Sequence, residues 1–460
     1  MVRVRIAPSP TGEDLHIGNL YTAFINWTFA KKNKGKFVIR IEDTDQERLI
    51  PGSEKKILNT LKAYGLSYDE GPDIGGPYEP YRQSERLPFY QKYAKELVEK
   101  NFAYYCFCTK DRLDALRKEQ NAKGKIFRYD KYCLNNVKNP KEKIAKGEQY
   151  VIRLKILDNK TVWFEDLIHG EIKFDSNQLD DQILIKSDGY PTYHLGVVVD
   201  DHLMKITHVI RAEEWISSTP KHVILYEAFN WDVPVFAHIP ILRNLDRSKL
   251  SKRKNPVWAS WYLEQGYLPE AMLNYLALMG WSYPDGRDIF SIDDFIKYFD
   301  LKDINSAGPI FDIKKLEWIN GEYIRKSQIL DLKSQISNFY KDDKEVLNVI
   351  NEKDVDKFIE LAKTRMKTLA DFKNLVVPGK IKLSSSEKNI AVVLISKFAE
   401  IKEWSKDSIL DAMKDVMLEN KVKGNVLYKI ITGYESGLPL PESLEIMGKD
   451  KTLKKIKSLI

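Results

Sequence analysis

The sequence predicts a multidomain α/β protein: a Rossmann-like, doubly wound parallel sheet with an inserted α+β region, followed by all-α C-terminal domains. Three observations predict it. Strand and helix patterns alternate at the N-terminus, the alternation is interrupted between residues 83 and 181, and strand patterns largely vanish beyond residue 254. A chain of 460 residues also exceeds what one hydrophobic core normally organises, which favours several structural units.

The first segments predict a βαβ unit. They are a strand at 2–7, a glycine-containing turn at 8–12, a helix at 18–32 and a strand at 37–41. Within the helix, Leu20, Phe24 and Trp27 fall on one face at three- and four-residue spacing. Because the crossover in such a unit joins parallel strands, we expect a parallel sheet to follow.

The later segments are assigned by the same patterns. Helices are predicted at 53–65, 87–100, 220–229, 269–279, 292–299 and 355–372, and strands at 151–156, 162–164, 182–185, 206–210 and 235–242. We therefore divide the chain into six parts. They are the first half of an α/β domain at 1–82, an inserted domain at 83–181, the second half of the α/β domain at 182–254, and three helical domains at 255–325, 326–375 and 376–460.

Composition limits the class of protein. No apolar run approaches the roughly 20 residues that cross a bilayer, and the N-terminus has no secretory pattern, so we expect a cytoplasmic protein without a membrane role. Three cysteines in a chain of this length argue against a disulfide framework. The net charge of +7 is compatible with a polyanionic partner but is weak evidence alone. We expect a monomer.

The first chemical motif is His16-Ile17-Gly18-Asn19, at the start of the first predicted helix. A helix N-terminus has unpaired N–H groups and the positive end of the helix dipole, so an imidazole there can approach a phosphate. Gly18 has no Cβ and lets a nucleotide lie close to the backbone. A capping histidine with a packing glycine is the simpler explanation of the triplet considered by itself.

The second motif is KLSKR at 249–253, which follows a strand of the same predicted sheet. Lys249 and Lys252, three residues apart on a loop, can stabilise the charge that develops on a leaving pyrophosphate. Considered alone, this segment would indicate only a solvated basic loop. The two motifs together, in this order and with an insertion between them, favour ATP-dependent activation of an amino acid.

The pair resembles the signature motifs of the class I aminoacyl-tRNA synthetases, and the surrounding strings resemble the bacterial glutamyl-tRNA synthetase family. Those strings are RIAPSPTG, RIEDTD, PYRQSERLPFYQKYA, SDGYPTYHL, VVDDHLM, VIRAEEW and STPKH. The resemblance is dense over residues 1–325 and looser beyond. Asn19 and Arg253 depart from the usual last positions of the two motifs, whereas His16, Gly18 and Lys252 are retained.

The resemblance implies specific site residues. Positions matching Arg5, Tyr193 and Arg211 contact the amino acid in this family, and those matching Glu42 and Ser9 hold its amino and carboxylate ends. Val197 also belongs to this site, through its backbone or its packing. Glu214, Leu242 and Lys252 contact ATP, together with His16, Gly18 and Lys249. Arg5 and Arg211 also suit the task chemically, because a guanidinium matches an anionic side chain and both lie in strands predicted to end at one sheet edge.

The implied activity is ATP-dependent attachment of L-glutamate to tRNA-Glu through a glutamyl-adenylate, with ATP as substrate and Mg²⁺ as cofactor. A non-discriminating enzyme that charges both tRNA-Glu and tRNA-Gln stays open. An inactive tRNA-binding protein is the alternative from another class. A glutaminyl-tRNA synthetase is disfavoured because the C-terminal half is predicted to be helical rather than β-barrel, and a short glutamyl-queuosine enzyme would lack that half.

Two further sites are predicted in addition to the amino-acid and ATP sites. Cys106, Cys108 and Cys133, with Tyr129 or water as a fourth ligand, form an incomplete tetrahedral zinc pattern, and three ordinary buried thiols are the alternative. Arg365, in a predicted helix, resembles the arginine that reads the last anticodon base in discriminating enzymes. An arginine can donate two hydrogen bonds to a base edge, but a surface arginine on a basic helix explains it equally well.

Overall fold

The computed structural model describes residues 1–125, 127–250, 256–379, 382–458 and 460. They form two compact units. The first comprises Met1–Trp261 and Leu276–Phe311, and the second comprises Tyr262–Tyr275 and Asp312–Ile460. Within these residues, none of the helices combines the length and the apolar character that crossing a bilayer demands.

Nine strands are present in the described ranges, all in the first unit. They are β1 Arg3–Ile6, β2 Lys36–Ile39, β3 Ala103–Cys106, β4 Val151–Leu154, β5 Thr161–Asp166, β6 Gly170–Asp175, β7 Ile183–Ile185, β8 His208–Ala212 and β9 Val235–Ile239.

Helices dominate the remainder of the chain. Those up to residue 298 are α1 Ile17–Lys32, α2 Ser53–Ala63, α3 Leu87–Glu99, α4 Lys110–Ala122, α5 Tyr132–Asn136, α6 Pro140–Ala145, α7 Tyr193–Leu203, α8 Thr219–Phe229, α9 Ala259–Glu264, α10 Pro269–Ala277 and α11 Ile292–Tyr298. The others are α12 Ile313–Lys326, α13 Ile329–Phe339, α14 Lys344–Ile350, α15 Val355–Lys363, α16 Asp371–Val376, α17 Ser385–Glu400, α18 Lys406–Asn420, α19 Gly424–Thr432, α20 Leu440–Met447 and α21 Lys449–Lys457. The predicted combination of an α/β catalytic region and a helical C-terminal region is confirmed.

The catalytic sheet is built from parallel pairs. Strands β1 and β2 pair in parallel from Arg3–Lys36 to Ile6–Ile39, and β8 pairs in parallel with β9. The backbone N–H of Thr207, just before β8, donates to the carbonyl of Arg3 at 2.9 Å, so β1 and β8 are neighbours. Helix α1 connects β1 to β2 on one side of this junction, whereas β8 and β9 continue on the other. Ligands bind at such a change of direction in doubly wound folds.

The strands around the inserted region pair differently from the prediction. Strand β7 was expected to resume the parallel sheet, but it pairs antiparallel with β4, which also pairs with β3. Strand β5 lies within the predicted insertion, yet it pairs in parallel with β9 at Asp166 and antiparallel with β6. Hydrophobic periodicity identifies strands but does not choose their partners.

A cluster of buried charges lies where β1, β2, α3 and α7 meet. The Asp200 carboxylate, fully buried, accepts hydrogen bonds from Arg86 Nε at 2.7 Å and from Gln83 and Tyr90 at 2.8 Å each. Arg40 is also fully buried and forms ion pairs with Asp200 and Asp201. Buried charges persist only when they are paired in this way, so the cluster fixes how these elements meet.

The second unit is an assembly of helices with its own core. Leu394, Phe398, Ile409, Val416 and Leu427 are among the fully buried side chains that join α17, α18 and α19. Helix α17 begins with a capping box: the Ser384 hydroxyl accepts from the backbone N–H of Glu387, and the Glu387 carboxylate accepts from the backbone N–H of Ser384.

One helix predicted in this unit is wrong. The segment 355–372 is not a continuous helix, because α15 ends at Lys363 and α16 begins at Asp371. The Asp371 carboxylate accepts from the backbone N–H groups of Lys367 and Thr368 at 2.7 and 2.9 Å and so stabilises a turn between the helices. The apolar periodicity continues through this turn, which explains the prediction.

The buried carboxylate of Asp200 supports a stability prediction. Replacing Asp200 with Ala removes the carboxylate that pairs with Arg86 and one of the carboxylates that pair with Arg40, and we expect it to lower the free energy of unfolding by about 3 to 5 kcal/mol. Urea unfolding followed by tryptophan fluorescence measures this loss. As a control, Glu119→Ala removes an exposed partner of Lys123 and should leave the unfolding midpoint unchanged. A wild-type midpoint for Asp200→Ala would contradict a structural role of the cluster.

Candidate active site

A cavity of about 580 Å³ opens at the carboxyl ends of β1, β2 and β8. Several residues predicted to bind the amino acid line it together: Arg5, Ser9, Glu42, Tyr193 and Arg211. They come from four separate segments, and only the meeting of the three strand ends brings them to one place. The predicted edge of the sheet is therefore where the structure places them.

A second cavity, of about 190 Å³, adjoins the first. The predicted ATP-contacting residues His16, Gly18, Glu214, Leu242 and Lys249 all line it. Four residues line both cavities: Asn19, Thr22, Ala212 and Glu214. The two cavities therefore share walls, so ligands bound in them would be neighbours.

His16 has a structural role that the motif left open. Its Nδ1 accepts from the backbone N–H of Gly18 at 3.0 Å, so His16 is the N-cap of α1. In a neutral ring the proton is then on Nε2. The backbone N–H of Ile17 donates to Val257 and that of Asn19 donates to the His16 carbonyl, so the first amides of α1 have partners within the protein. Attraction of a phosphate here would rest on the His16 ring and the helix dipole rather than on unpaired amides.

Lys249 lies on the far wall of the smaller cavity. Its Nζ forms an ion pair with the Glu214 carboxylate, and both side chains are substantially exposed. A salt bridge between exposed groups contributes little stability, so Lys249 can exchange this partner for an anionic ligand. Lys252, the other lysine of the motif, lies outside the described residues.

Two residues that the sequence did not identify as part of the site, Asp201 and Arg40, form hydrogen bonds with Arg5 and Glu42. Arg5 donates from Nε and Nη2 to the two oxygens of Asp201 at 3.1 and 3.0 Å. Arg40 donates to Asp201 at 2.7 Å and to Glu42 at 3.3 Å. Burial alone would raise the pKa of Asp201, but Arg5 and Arg40 hold it below its usual range. The Asp200-Asp201 doublet after an apolar run was the available signal.

Arg211 differs from Arg5 in the partners that surround it. Its guanidinium, also buried, donates to Thr219 Oγ1 at 2.8 Å, Tyr193 Oη at 3.0 Å and His238 Nε2 at 3.1 Å. Its Nη1 also lies 3.3 Å from Nδ1 of His222. Within the described part of the chain, no carboxylate forms an ion pair with Arg211. A buried cation with uncharged partners is a strong site for an anion.

The remaining predicted residues differ in how directly they reach the cavity. The hydroxyl of Tyr193 accepts the hydrogen bond from Arg211, and burial raises its pKa. Ser9 is exposed at the cavity wall. Val197 packs within the apolar core of the first unit and does not line the cavity, so a packing role is what its position allows.

The three thiols converge away from the cleft, in the inserted region. The Sγ atoms of Cys106, Cys108 and Cys133 all lie within 4.8 Å of one another. Tyr129 Oη lies 3.4 Å from the Sγ of Cys106 and 3.3 Å from that of Cys108. Three sulfurs and one oxygen at these separations fit a tetrahedral metal ion. Arg153 stacks over the Tyr129 ring at 4.1 Å and helps to fix its position.

Arg365 is exposed in the turn after α15, not within a helix as predicted. In the described residues, its side chain forms no hydrogen bond or ion pair. An exposed guanidinium in a turn can contact a nucleotide base without first breaking an internal interaction.

Comparisons with known proteins agree with this geometry. The family described as tRNA synthetases class I (E and Q), catalytic domain, matches residues 1–318, and an anticodon binding domain family matches residues 331–460. The glutamate–tRNA ligase of Cellvibrio japonicus is 43% identical, with 100% of this chain and 93% of that protein covered. The glutamate–tRNA ligase of Thermus thermophilus is 42% identical, with 99% of both covered.

Solved structures resemble the whole chain as well. A glutamate tRNA ligase from Elizabethkingia meningosepticum, in complex with its amino acid, superimposes with a TM-score of 0.85 at 34% identity, covering 100% of this chain and 99% of that one. The glutamate-tRNA synthetase of Elizabethkingia anophelis gives 0.84 at 34% identity, with the same coverage. On the family match over its first 318 residues and the full-length relatives, the chain belongs to the E and Q group of the class I tRNA synthetases.

Proposed function

We propose that this protein is a glutamate–tRNA ligase, which attaches L-glutamate to tRNA-Glu through a glutamyl-adenylate and releases AMP and pyrophosphate. The full-length relatives named for this activity support the reaction. The observation that carries the choice of amino acid is Arg211, a buried guanidinium at the cavity wall whose hydrogen-bond partners are uncharged. An enzyme for glutamate must bind an anionic side chain, and this group provides the matching charge.

The glutamate side chain would bind Arg211, with Tyr193 beside it. Glu42 would hold the amino group, since its carboxylate is directed by Arg40 and lines the same cavity. Arg5 and Ser9 would contact the remaining polar atoms. A neutral glutamine side chain would leave the Arg211 charge uncompensated in a buried site, which opposes its binding.

ATP would occupy the smaller cavity, with His16, Gly18, Glu214, Leu242 and Lys249 around it. The α-carboxylate of glutamate would attack the α-phosphorus of ATP, forming a mixed anhydride and breaking the bond to pyrophosphate. Because the two cavities share walls, the reacting groups would be held together, and such positioning supplies much of the rate enhancement. Lys249 and Lys252 would stabilise the charge on pyrophosphate, as would Mg²⁺ on the ATP phosphates.

The terminal ribose hydroxyl of the tRNA would then take the glutamyl group from the adenylate. We assign the acceptor end to the inserted region 83–181 and the stem to 255–325. The anticodon is assigned to 326–375 and 376–460, and the anticodon binding domain match to residues 331–460 supports this last assignment. We expect the enzyme to act as a cytoplasmic monomer.

The thiol cluster is proposed to bind structural zinc through Cys106, Cys108 and Cys133, with Tyr129 or water as the fourth ligand. Three side chains from two separate segments meet there, and a metal ion would fix a region that otherwise has a small core. Zinc in such a site cross-links the chain and takes no part in the reaction.

Charging assays test the proposed activity and the role of Arg211 together. We expect wild-type protein to charge tRNA-Glu with labelled glutamate and not with glutamine. Arg211→Gln removes the buried charge and should lower kcat/KM for glutamate by at least about 100-fold, while KM for ATP stays within about threefold. Arg287→Gln, at an exposed arginine away from the cleft, is the matched control. Absence of charging by wild-type protein would leave a tRNA-binding function only.

Elemental analysis tests the metal site. Protein purified without chelator should contain one zinc per chain, and removing it should lower the unfolding temperature. Tyr129→Phe keeps the ring and removes the oxygen, so it should weaken zinc binding if the phenol is the fourth ligand and preserve it if water is. Wild-type protein without stoichiometric zinc would favour three ordinary buried thiols.

A substitution at Arg365 tests whether the enzyme discriminates between tRNA-Glu and tRNA-Gln. If it reads the last anticodon base, Arg365→Gln should raise charging of tRNA-Gln relative to tRNA-Glu by about tenfold, because a bidentate contact to the preferred base is lost. Lys341→Gln, an exposed position of the helical unit, serves as control. An unchanged ratio would contradict the role, and equal charging of both tRNAs by wild-type protein would identify a non-discriminating enzyme.

A further inference from the structure

A chain of hydrogen bonds runs through the protein behind Arg211. On one side Arg211 donates to His238, whose Nδ1 lies 2.6 Å from the Asp166 carboxylate. On the other side Arg211 contacts His222, whose Nε2 lies 3.1 Å from Nδ1 of His194. These five side chains connect β5, α7, β8, α8 and β9, and only Arg211 among them was predicted from the sequence to belong to the site.

The hydrogen-bond directions on the His238 side are fixed by chemistry. A carboxylate can only accept, so Nδ1 of His238 donates to Asp166. A guanidinium can only donate, so Nε2 of His238 accepts from Arg211. Asp166 is anchored in turn, because its Oδ1 accepts from the backbone N–H groups of Ile168 and His169 at 3.0 and 3.1 Å. His238 is therefore locked in the tautomer with its proton on Nδ1.

The opposite tautomer follows for His222. Its Nδ1 accepts from Arg211, so the proton is on Nε2 and is donated to Nδ1 of His194. Burial lowers the pKa of His238 to about 4 and that of His194 to about 3, and it lowers the pKa of His222 far below its usual range. All three imidazoles are thus uncharged at neutral pH and bring no charge of their own to Arg211.

Arg5 is a buried guanidinium with a carboxylate partner and can be compared with Arg211. Its guanidinium is paired through two hydrogen bonds with the Asp201 carboxylate, which compensates its charge. A carboxylate in the place of His222 or His238 would compensate Arg211 in the same way and compete with an anionic substrate. An imidazole orients the guanidinium equally well without compensating it.

We propose that His222 and His238 are positioning residues, which hold Arg211 through uncharged acceptors so that its full charge remains available to the side-chain carboxylate of the substrate. The proposal rests on the proposed function, since it explains how the glutamate-binding arginine keeps its selectivity. Asp166 and His194 support it from further back by fixing the two tautomers. None of these four residues needs to touch the substrate.

An isosteric pair of substitutions separates charge from shape. His222→Asn replaces Nδ1 with an uncharged oxygen acceptor, and His222→Asp places a carboxylate oxygen at the same position. We expect KM for glutamate to rise less than about fivefold in the Asn variant and at least about 30-fold more in the Asp variant, because an internal anion then competes for Arg211. KM for ATP should stay near the wild-type value in both. His202→Asn, a histidine stacked on Trp231 outside the chain of hydrogen bonds, is the control.

The possible results are distinguishable. Equal KM values for glutamate in the Asn and Asp variants, with wild-type protein active, would overturn the proposal while leaving the proposed function intact. Wild-type protein that does not charge tRNA with glutamate would overturn the function, and with it the role of the imidazoles in selectivity. The unfolding temperatures of both variants are measured before the kinetics. A KM difference between them is then not confused with a loss of stability in one variant.

The tautomers provide a readout that does not depend on activity. ¹⁵N-histidine NMR of the full chain at pH 7 should show His238 protonated on Nδ1 and His222 on Nε2, assigned by loss of each signal in its Asn variant. Asp166→Asn should break the hydrogen bond from Nδ1 of His238 and change the ¹⁵N signals of this ring, because the amide oxygen is retained by the backbone N–H groups and the NH₂ faces Nδ1. It should also raise KM for glutamate while leaving KM for ATP unchanged. A charged imidazole at either position in the wild type would contradict the proposal.

Discussion

The Asp201 carboxylate, buried between the guanidinium groups of Arg5 and Arg40, is the interaction on which the geometry of the cleft depends. It joins β1, the end of β2 and helix α7 at one point. A buried carboxylate cannot lose either partner without leaving charge uncompensated in a medium of low polarity. The three elements therefore keep one arrangement, and the wall of the larger cavity that carries Arg5 and Glu42 is fixed before any ligand binds.

Charge is distributed unequally within this cleft, and the inequality determines what the cleft can bind. Arg40 and Arg86 are compensated by Asp200 and Asp201, and Arg5 shares the second of these carboxylates. Arg211 is surrounded by hydroxyl groups and uncharged imidazoles instead. Among the residues that the structure describes, Arg211 is thus a buried cation of the cleft without a carboxylate partner, and we propose that it binds the ligand. Holding such a group in place opposes folding, so its surroundings must be rigid, which is the role that the hydrogen-bond chain from Asp166 to His194 would serve.

The two cavities lie where a doubly wound sheet would bring two substrates together. One cavity is lined by the ends of β1, β2 and β8, and the other by the start of α1 and the segment after β9. Both lie at the junction where the strand order changes direction, and so the amino acid and the nucleotide would share a wall. The helical unit is matched by an anticodon binding domain family, which accounts for a second half without strands in the described residues.

The sequence by itself determined the alternation of strands and helices, the insertion, the helical second half and several of the residues that line the cleft. His16 and Gly18 were found in a short motif, and the resemblance to a known family pointed to Arg5, Glu42, Tyr193 and Arg211. Both signals depend on strings of neighbouring residues. It did not reveal strand partners, as β5 and β7 show, nor that Arg365 lies in a turn stabilised by Asp371. Asp201, Arg40, His222 and His238 were missed for the same reason. Their importance arises from contacts between residues far apart in the chain, such as Arg5 with Asp201 and Asp166 with His238, and only the tertiary structure decides which distant charges meet.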